Sequence, residues 1–351
     1  MKIKSIKILF SCAGGEFIIQ NIIAIKSIKK FDCKVYGVDQ KNISRTNYEF
    51  LDHFDICPNS SLNKIKYKKF ILDYCKKNKI DLFFPFSENE IEILSKLDLT
   101  KIKTKFVLPT KSFLNITSDK YLFFKYLKDN NLYHDPFYRI DSKAELKAIS
   151  QNEFFKSKSF VLKPRISSGS RGVMVFDDNQ PYSEPVKDRL CATGSKKLIY
   201  KYINNKKIIL KNYILTKYYG NNILDVDSYS KKGKLIYLLM RQRQYVNPLS
   251  PINEGCKIVN NKKIKNLVSK VSKSLNLDGI LDLDIALDSN GEPKIIDVSA
   301  RLSGSAGSGI VAGMNIFEVI LNNYFYRTKE VKMKPKNIMI RPIKMFYELK
   351  K

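Results

Sequence analysis

Histidine is nearly missing from this chain, with His53 and His134 the only two among 351 residues. That scarcity excludes a His-rich zinc centre and a His-based catalytic triad. His53 reads as a surface or loop residue. The six cysteines, Cys12, Cys33, Cys57, Cys75, Cys191 and Cys256, are scattered with no CxxC pair. They read as reduced thiols that mostly pack. No apolar run approaches the roughly 18–20 residues needed to span a bilayer. Leu9-Phe10-Ser11-Cys12 is similar to a lipoprotein cleavage site. Lys7 interrupts the apolar stretch before it, well short of the roughly 7–15 residues of a signal segment. Ile6–Ser11 is therefore expected as a strand. These absences favour a cytoplasmic location and no membrane partner. No internal repeat or low-complexity linker stands out either.

Acidic residues are also few, 34 against 63 Lys and Arg, for a formal net charge of +29. The lysines are spread along the whole chain and no block of arginines appears. That pattern describes a solvated, lysine-biased surface better than a nucleic-acid binder. A basic cleft would favour anionic substrates. Apolar residues make up 44% of the chain, ample for a buried core. The length suits two or three domains.

The first hundred residues alternate strand and helix signals. Strands are expected at Ile6–Phe10, Cys33–Val38, Leu82–Pro85 and Phe106–Leu108. Helices are expected at Phe17–Lys29, Lys64–Lys77 and Glu88–Lys96. This βαβ alternation predicts a doubly wound parallel sheet. Ala13-Gly14-Gly15 is not GxGxxG, so no dinucleotide cofactor follows. Phe84–Glu90 lies beyond a strand's carboxyl end, where α/β sheets bind ligands. Ser87 and Glu88 are thus candidates for substrate contact, with helix capping the competing role for Ser87. A linker is expected near Pro109. Helices follow at Asp119–Asn130 and Ala144–Ile149. The segment returns through Leu198–Tyr202, and Ile208–Lys217 is expected as a strand.

The stretch Gly279–Gly304 carries the most chemistry. Alternating apolar residues on either side of Asn290-Gly291 predict a hairpin. Period two puts Asp282 and Asp284 on one strand face, with Asp297, Ser299 and Arg301 on the returning strand. Mg²⁺ takes hard oxygen ligands and needs only one or two protein carboxylates. Arg matches phosphate oxygens with a planar fork. The competing reading is an ordinary acidic hairpin. Far upstream, Phe160–Leu162 reads as a strand delivering Lys163, followed by a Gly/Ser loop, Arg165–Gly172, and a second strand, Val173–Phe176. A loop between two strands is not a Walker A loop, which opens a helix. Such a hairpin can fold over phosphates and offer backbone N–H groups. Asp225–Ser230 and Lys234–Arg241 form a further hairpin through Lys232-Gly233. Arg241 and Arg243 share one face and could grip a carboxylate, with surface charge the alternative. The Gly/Ser-rich run Ser303–Gly313 can pass its backbone close to a small ligand, which brings in Ser303 and Gly304. Helices are expected at Asn261–Asn276 and Ile316–Tyr324, and a basic tail at Phe346–Lys351.

Together, KPRISSGSRGV and DLDIALDSNGEPKIIDVSARLSG resemble an ATP-grasp enzyme of the carbamoyl-phosphate-synthase-like type, over residues 5 to 325. The resemblance implies an N-terminal doubly wound pre-ATP-grasp domain, 1–109, and a two-lobed α+β ATP-grasp domain, 110–330. Its lid would span about 120–215, leaving a C-terminal tail at 331–351. It implies ATP, and Mg²⁺ with Mn²⁺ as the alternative ion. Lys120, in Ser118-Asp119-Lys120, matches a basic phosphate-binding position and Lys163 the strand lysine. Ser167, Ser168, Gly169, Ser170 and Gly172 match the lid loop. Lys217 and Tyr218 fall at the adenine hinge, where the family's usual Glu is absent. Asp284 and Asp297 match the metal-ligand positions. Asp297 stands where Glu is commoner, and Ser299 stands where Asn is usual. Arg301 matches the arginine that contacts the transferred phosphoryl group.

The implied activity joins a small carboxylate to an amine, by a homodimer as the family default. A kinase or carboxylase on the same fold, or a non-catalytic ATP- or nucleic-acid-binding protein, are the alternatives.

Overall fold

The computed structural model describes residues 4–15, 18–41, 49–156, 159–167, 169–186, 191–244, 255–326 and 333–342. These form three sheets. The first contains β1 (Lys4–Phe10), β2 (Phe31–Asp39), β3 (His53–Ile56), β4 (Leu82–Phe84) and β5 (Lys105–Phe106). Its order is β3-β2-β1-β4-β5, with every pair parallel. All three residues of the inner strand β4 are buried, as expected for a strand covered on both faces, while β2 alternates buried and exposed residues over its first half. The helix Lys64–Asn78 starts at Asn63, whose side chain accepts from Lys66 N, and ends on Lys79 in the left-handed conformation. The reversal of strand order falls between β1 and β4, so the loops after them border the topological switch point.

The second sheet contains β6 (Phe137–Ile140), β7 (Phe160–Pro164), β8 (Met174–Phe176), β9 (Ala192–Gly194) and β10 (Tyr213–Lys217), ordered β6-β10-β7-β8-β9. It encloses its own core around Phe155, Phe160, Phe176 and Ile199. Phe160 and Phe176 stack with centroids 4.4 Å apart. The third sheet contains β11 (Ile223–Lys231), β12 (Lys234–Arg243), β13 (Cys256–Val259), β14 (Gly279–Leu287), β15 (Pro293–Ser299) and β16 (Met339–Ile340). It is antiparallel throughout, in the order β15-β14-β11-β12-β13-β16.

Several sequence expectations need correction. Leu198–Tyr202 lies inside a helix, Lys196–Asn205, capped by Ser195 and buried through Ile199 and Ile203, four residues apart. The strand expected over Ile208–Lys217 is limited to β10. The Gly/Ser run after β15 coils into a 3-10 helix, Ala306–Ala312. The helix Lys120–Asp129, assigned to the lid, packs Phe123, Phe124 and Leu127 into the core of the third sheet. Part of the expected tail is an edge strand, because β16 pairs with β13. Phe17 and the basic tail Phe346–Lys351 lie outside the described residues.

Candidate active site

The strand β7 carries Lys163 next to its end, and burial of Phe160 and Leu162 on one face of the strand fixes the direction of its neighbours. Lys163 is buried, and its Nζ donates to the Ile296 carbonyl on β15. The same ammonium stands 5.1 Å from the Phe124 ring centroid. Burial pushes its pKa down to about 8; Lys120 adds to the drop, while Asp297 and Asp284 oppose it.

Lys120 opens the helix Lys120–Asp129, and Asp119 caps it by accepting from Tyr121 N. Lys120 Nζ lies 3.1 Å from Asp297 Oδ1 and donates to the Ser167 carbonyl at 2.7 Å. One lysine thus links the helix N-terminus, the lid loop and β15. Asp119 also takes a two-pronged ion pair from Arg165, with Nε to Oδ1 at 3.0 Å and Nη2 to Oδ2. This clamp ties the root of the loop to the helix. Sequence reasoning missed it, although the Asp in Ser118-Asp119-Lys120 was its signal. Gly169, Ser170 and Gly172 all have positive φ. At Gly172, a Cβ would also meet Pro164 Cγ at 2.9 Å, so glycine is required there. Ser168 lies outside the described residues.

The hairpin of β14 and β15 places Asp284 directly opposite Asp297, and Asp282 opposite Ser299. Asn290-Gly291 makes the turn, with Gly291 at φ 71° and Asp288 Oδ1 accepting from Asn290 N and Glu292 N. Asp284 Oδ2 receives Arg243 Nη2 at 2.9 Å, and Arg243 Nε reaches Asp225 Oδ1 at 3.0 Å. Burial pushes the Asp284 carboxyl up to about 7; Arg243 opposes this, and Asp225 and Asp297 add to it. Ser299 Oγ accepts from Arg301 N at 3.4 Å. Among the described residues no three His, Cys, Asp or Glu side chains converge in a metal-holding group. The chain offers the pair Asp284 and Asp297, the number of carboxylates that suits Mg²⁺.

One cleft gathers most of these groups. Lys163, Ser170, Lys217, Tyr218, Arg243, Asp284 and Asp297 all line it, with apolar walls from Val161, Val175 and Ile223. Tyr218 N donates to the Ser159 carbonyl at 3.1 Å. Beside it, Tyr219 Oη donates to Asp135 at 2.8 Å, and Lys294 approaches the same carboxylate at 3.3 Å. Sequence reasoning missed this network, which has no motif.

The substrate candidates separate. Arg301 Nε stands 3.9 Å from Glu88 Oε1, so the segment after β15 faces the start of the helix that follows β4, beside the switch point. Ser87 caps the helix Glu88–Leu94 in a reciprocal capping box with Glu90, which occupies its hydroxyl. Gly304 O accepts from Asn21 Nδ2 at 3.1 Å. Arg241 differs most from expectation. It is fully buried, pairs with Asp227 at 2.6 Å and donates to Ser305 O at 2.9 Å and Ser308 Oγ at 3.2 Å. Ser303 Oγ accepts from the same guanidinium at 3.4 Å. Arg241 therefore holds the loop after β15 and presents no free face to a substrate.

Residues 210–346 match a family model described as ATP-grasp in the biosynthetic pathway with Ter operon, and residues 8–106 match the PylC-like N-terminal domain. No curated protein matches the chain. Solved structures match over nearly its full length. N5-carboxyaminoimidazole synthetase from Staphylococcus aureus complexed with ADP is 12% identical with a TM-score of 0.63, covering 92% of this chain and 78% of that one. The biotin carboxylase β-γ-ATP complex from Campylobacter jejuni is 18% identical with a TM-score of 0.66, covering 95% and 74%. L-amino acid ligase from Bacillus licheniformis is 14% identical with a TM-score of 0.64, covering 95% and 78%. Residues 210–346 thus match an ATP-grasp family and residues 8–106 a PylC-like N-terminal domain, and the chain shares its fold with these solved enzymes.

Proposed function

We propose that this chain is an ATP-dependent carboxylate–amine ligase that activates a carboxylate as an acyl phosphate for attack by an amine. The observation that carries the reading is that buried Lys163 lines one cleft with the paired carboxylates of β14 and β15, while buried Lys120 reaches Asp297 from beside it. Buried cations beside opposed carboxylates suit a polyphosphate whose charge a divalent cation shares. ATP would lie with its base at Lys217 and Tyr218 and its phosphates at Lys120 and Lys163. Mg²⁺, held by Asp284 and Asp297 with Ser299 nearby, would neutralise phosphate charge.

The chain's own residues do the positioning. Lys163 lies against Ile296 O and Lys120 against Asp297, so both cations are in place before a nucleotide arrives. Ser170 lines the cleft, and the left-handed Gly169, Ser170 and Gly172 hold the backbone beside it, where it would help to exclude water that hydrolyses an acyl phosphate. Arg301 faces the transferred group, and Glu88 opposite it attracts the amine. The residues up to about 109 form the substrate-side domain in this reading.

Phosphate release is the test. With Mg²⁺·ATP and pooled small acids and amines, ADP and phosphate should form only when one acid and one amine are both present. Release requiring bicarbonate in place of an organic acid would favour the carboxylation chemistry implied by the biotin carboxylase likeness. A stable phosphorylated product would mark a kinase and sink the ligase reading.

A further inference from the structure

A groove of about 710 Å³ lies apart from the nucleotide cleft and shares no lining residue with it. Its walls come from the β11–β12 hairpin, the helix Lys262–Ser274, Met314 and the segment 333–335. Lys232, Lys265 and Lys273 stand around it, and among the described residues no Asp or Glu lines it. On the helix, Lys265, Ser269 and Lys273 follow at i, i+4 and i+8, one stripe facing the groove.

The floor is apolar. Lys234, Ile236, Leu238 and Met240 share one face of β12 by period two, so a charged rim passes directly into a greasy base. Ile236, Met314 and Met333 belong to one hydrophobic cluster, and Leu238, Met240 and Val259 to another, so the groove runs along the seam between two cores. Three methionines line it, and their unbranched thioethers adapt to chains of varied shape. Its volume lies within the range of small-molecule sites.

We propose that this groove binds a small amphiphilic anion, an acyl chain ended by a carboxylate or phosphate. The head would be held by the lysines and the chain laid over Ile236, Leu238 and the methionines. A solvated lysine surface needs no apolar concavity, and a merely apolar groove needs no ring of cations. The combination selects molecules carrying both features.

Titration calorimetry of the full chain with dodecanoate tests this, beside dodecan-1-ol and dodecylammonium as neutral and cationic controls. Saturable 1:1 binding of dodecanoate is expected, with both controls weaker by about tenfold or more. The double variant K265E/K273E should weaken dodecanoate by about tenfold or more, with the melting curve and Mg²⁺·ATP binding kept. K265Q/K273Q serves if the charge reversal disturbs folding, and I236D should weaken binding from the apolar side. No saturable binding at about 1 mM would overturn the proposal. So would equal binding of the neutral control, or unchanged affinity in a folded double variant. Sedimentation showing that a second copy of the chain fills the groove would also overturn it.

Discussion

Arg241 and Asp227 meet 2.6 Å apart inside the third sheet with almost no solvent exposure, whereas Lys120 and Asp297 meet 3.1 Å apart with the Asp297 side chain 36% exposed. Both pairs join a basic group to a carboxylate on or beside the same sheet. They differ in what surrounds them. Arg241 spends its donors on Asp227, Ser305 and Ser308, all within the protein. Asp297 lines the cleft shared with Lys163 and Asp284 and Lys120 reaches it from beside, so a ligand in the cleft can replace or join the pair. The first arrangement fixes a loop, and the second can change partners. A charged residue in a binding-like motif does not reveal which of these fates it has until its desolvation is known.

The sharpest way to break the comparison is to remove one member of each pair. Arg241→Ala leaves Asp227 buried without its cation and should cost about 3–5 kcal/mol in urea unfolding. Replacing both partners by apolar residues of similar volume, Arg241→Met with Asp227→Leu, should recover most of that loss. If Arg241→Ala unfolds like the parent, the buried pair is not what holds the 303–308 loop.

Lys163→Ala should behave in the opposite way. Its stability should stay near the parent's, or rise, because a desolvated ammonium is removed. Turnover should fall by about 10²–10³, the usual loss for one charge-stabilising group. A large stability loss with normal turnover would reverse the roles assigned to the two regions.

A pH series sharpens the same contrast without mutation. The Lys163 pKa is lowered to about 8 from an ordinary 10.5. The folded chain therefore releases this proton at a lower pH than the unfolded chain does. Between about pH 8 and 10.5 the unfolded state binds the extra proton, so this group adds stability as pH rises. The free cleft loses its cation over the same window. Nucleotide affinity should fall by up to about tenfold per pH unit above 8, with a proton taken up on binding. Lys163→Arg should move that fall to higher pH. Calorimetry in two buffers of different ionisation enthalpy reads both effects.

The smallest effect lies outside both pairs. Ser87 closes a capping box with Glu90, so Ser87→Ala should cost about 1 kcal/mol of stability. Turnover should hardly change. A selective rise in KM for one substrate would instead show that Ser87 touches it.

Much of this architecture was legible because it rests on local periodicity. The period-two runs around Asn290-Gly291 gave the hairpin that opposes Asp284 to Asp297, and βαβ alternation gave the parallel first sheet. Elements without such a signal were not read. The strand β16 is two residues long and exists through its pairing with β13, a tertiary fact. The Lys196–Asn205 helix has only two buried positions, too few to set a period. At the site, lysine and carboxylate identities were readable. The Asp119–Arg165 clamp and the burial of Arg241 were not, since both depend on packing between segments far apart in sequence.

The most direct measurement is titration of Mg²⁺·ATP into the parent, Lys163→Ala and Asp297→Asn chains, each with and without Mg²⁺. The account expects saturable, Mg²⁺-dependent binding to the parent. Lys163→Ala should bind weakly under both conditions, and Asp297→Asn should lose most of the Mg²⁺ dependence. A parent that binds no nucleotide, or variants that bind as the parent does with the same Mg²⁺ dependence, would contradict it.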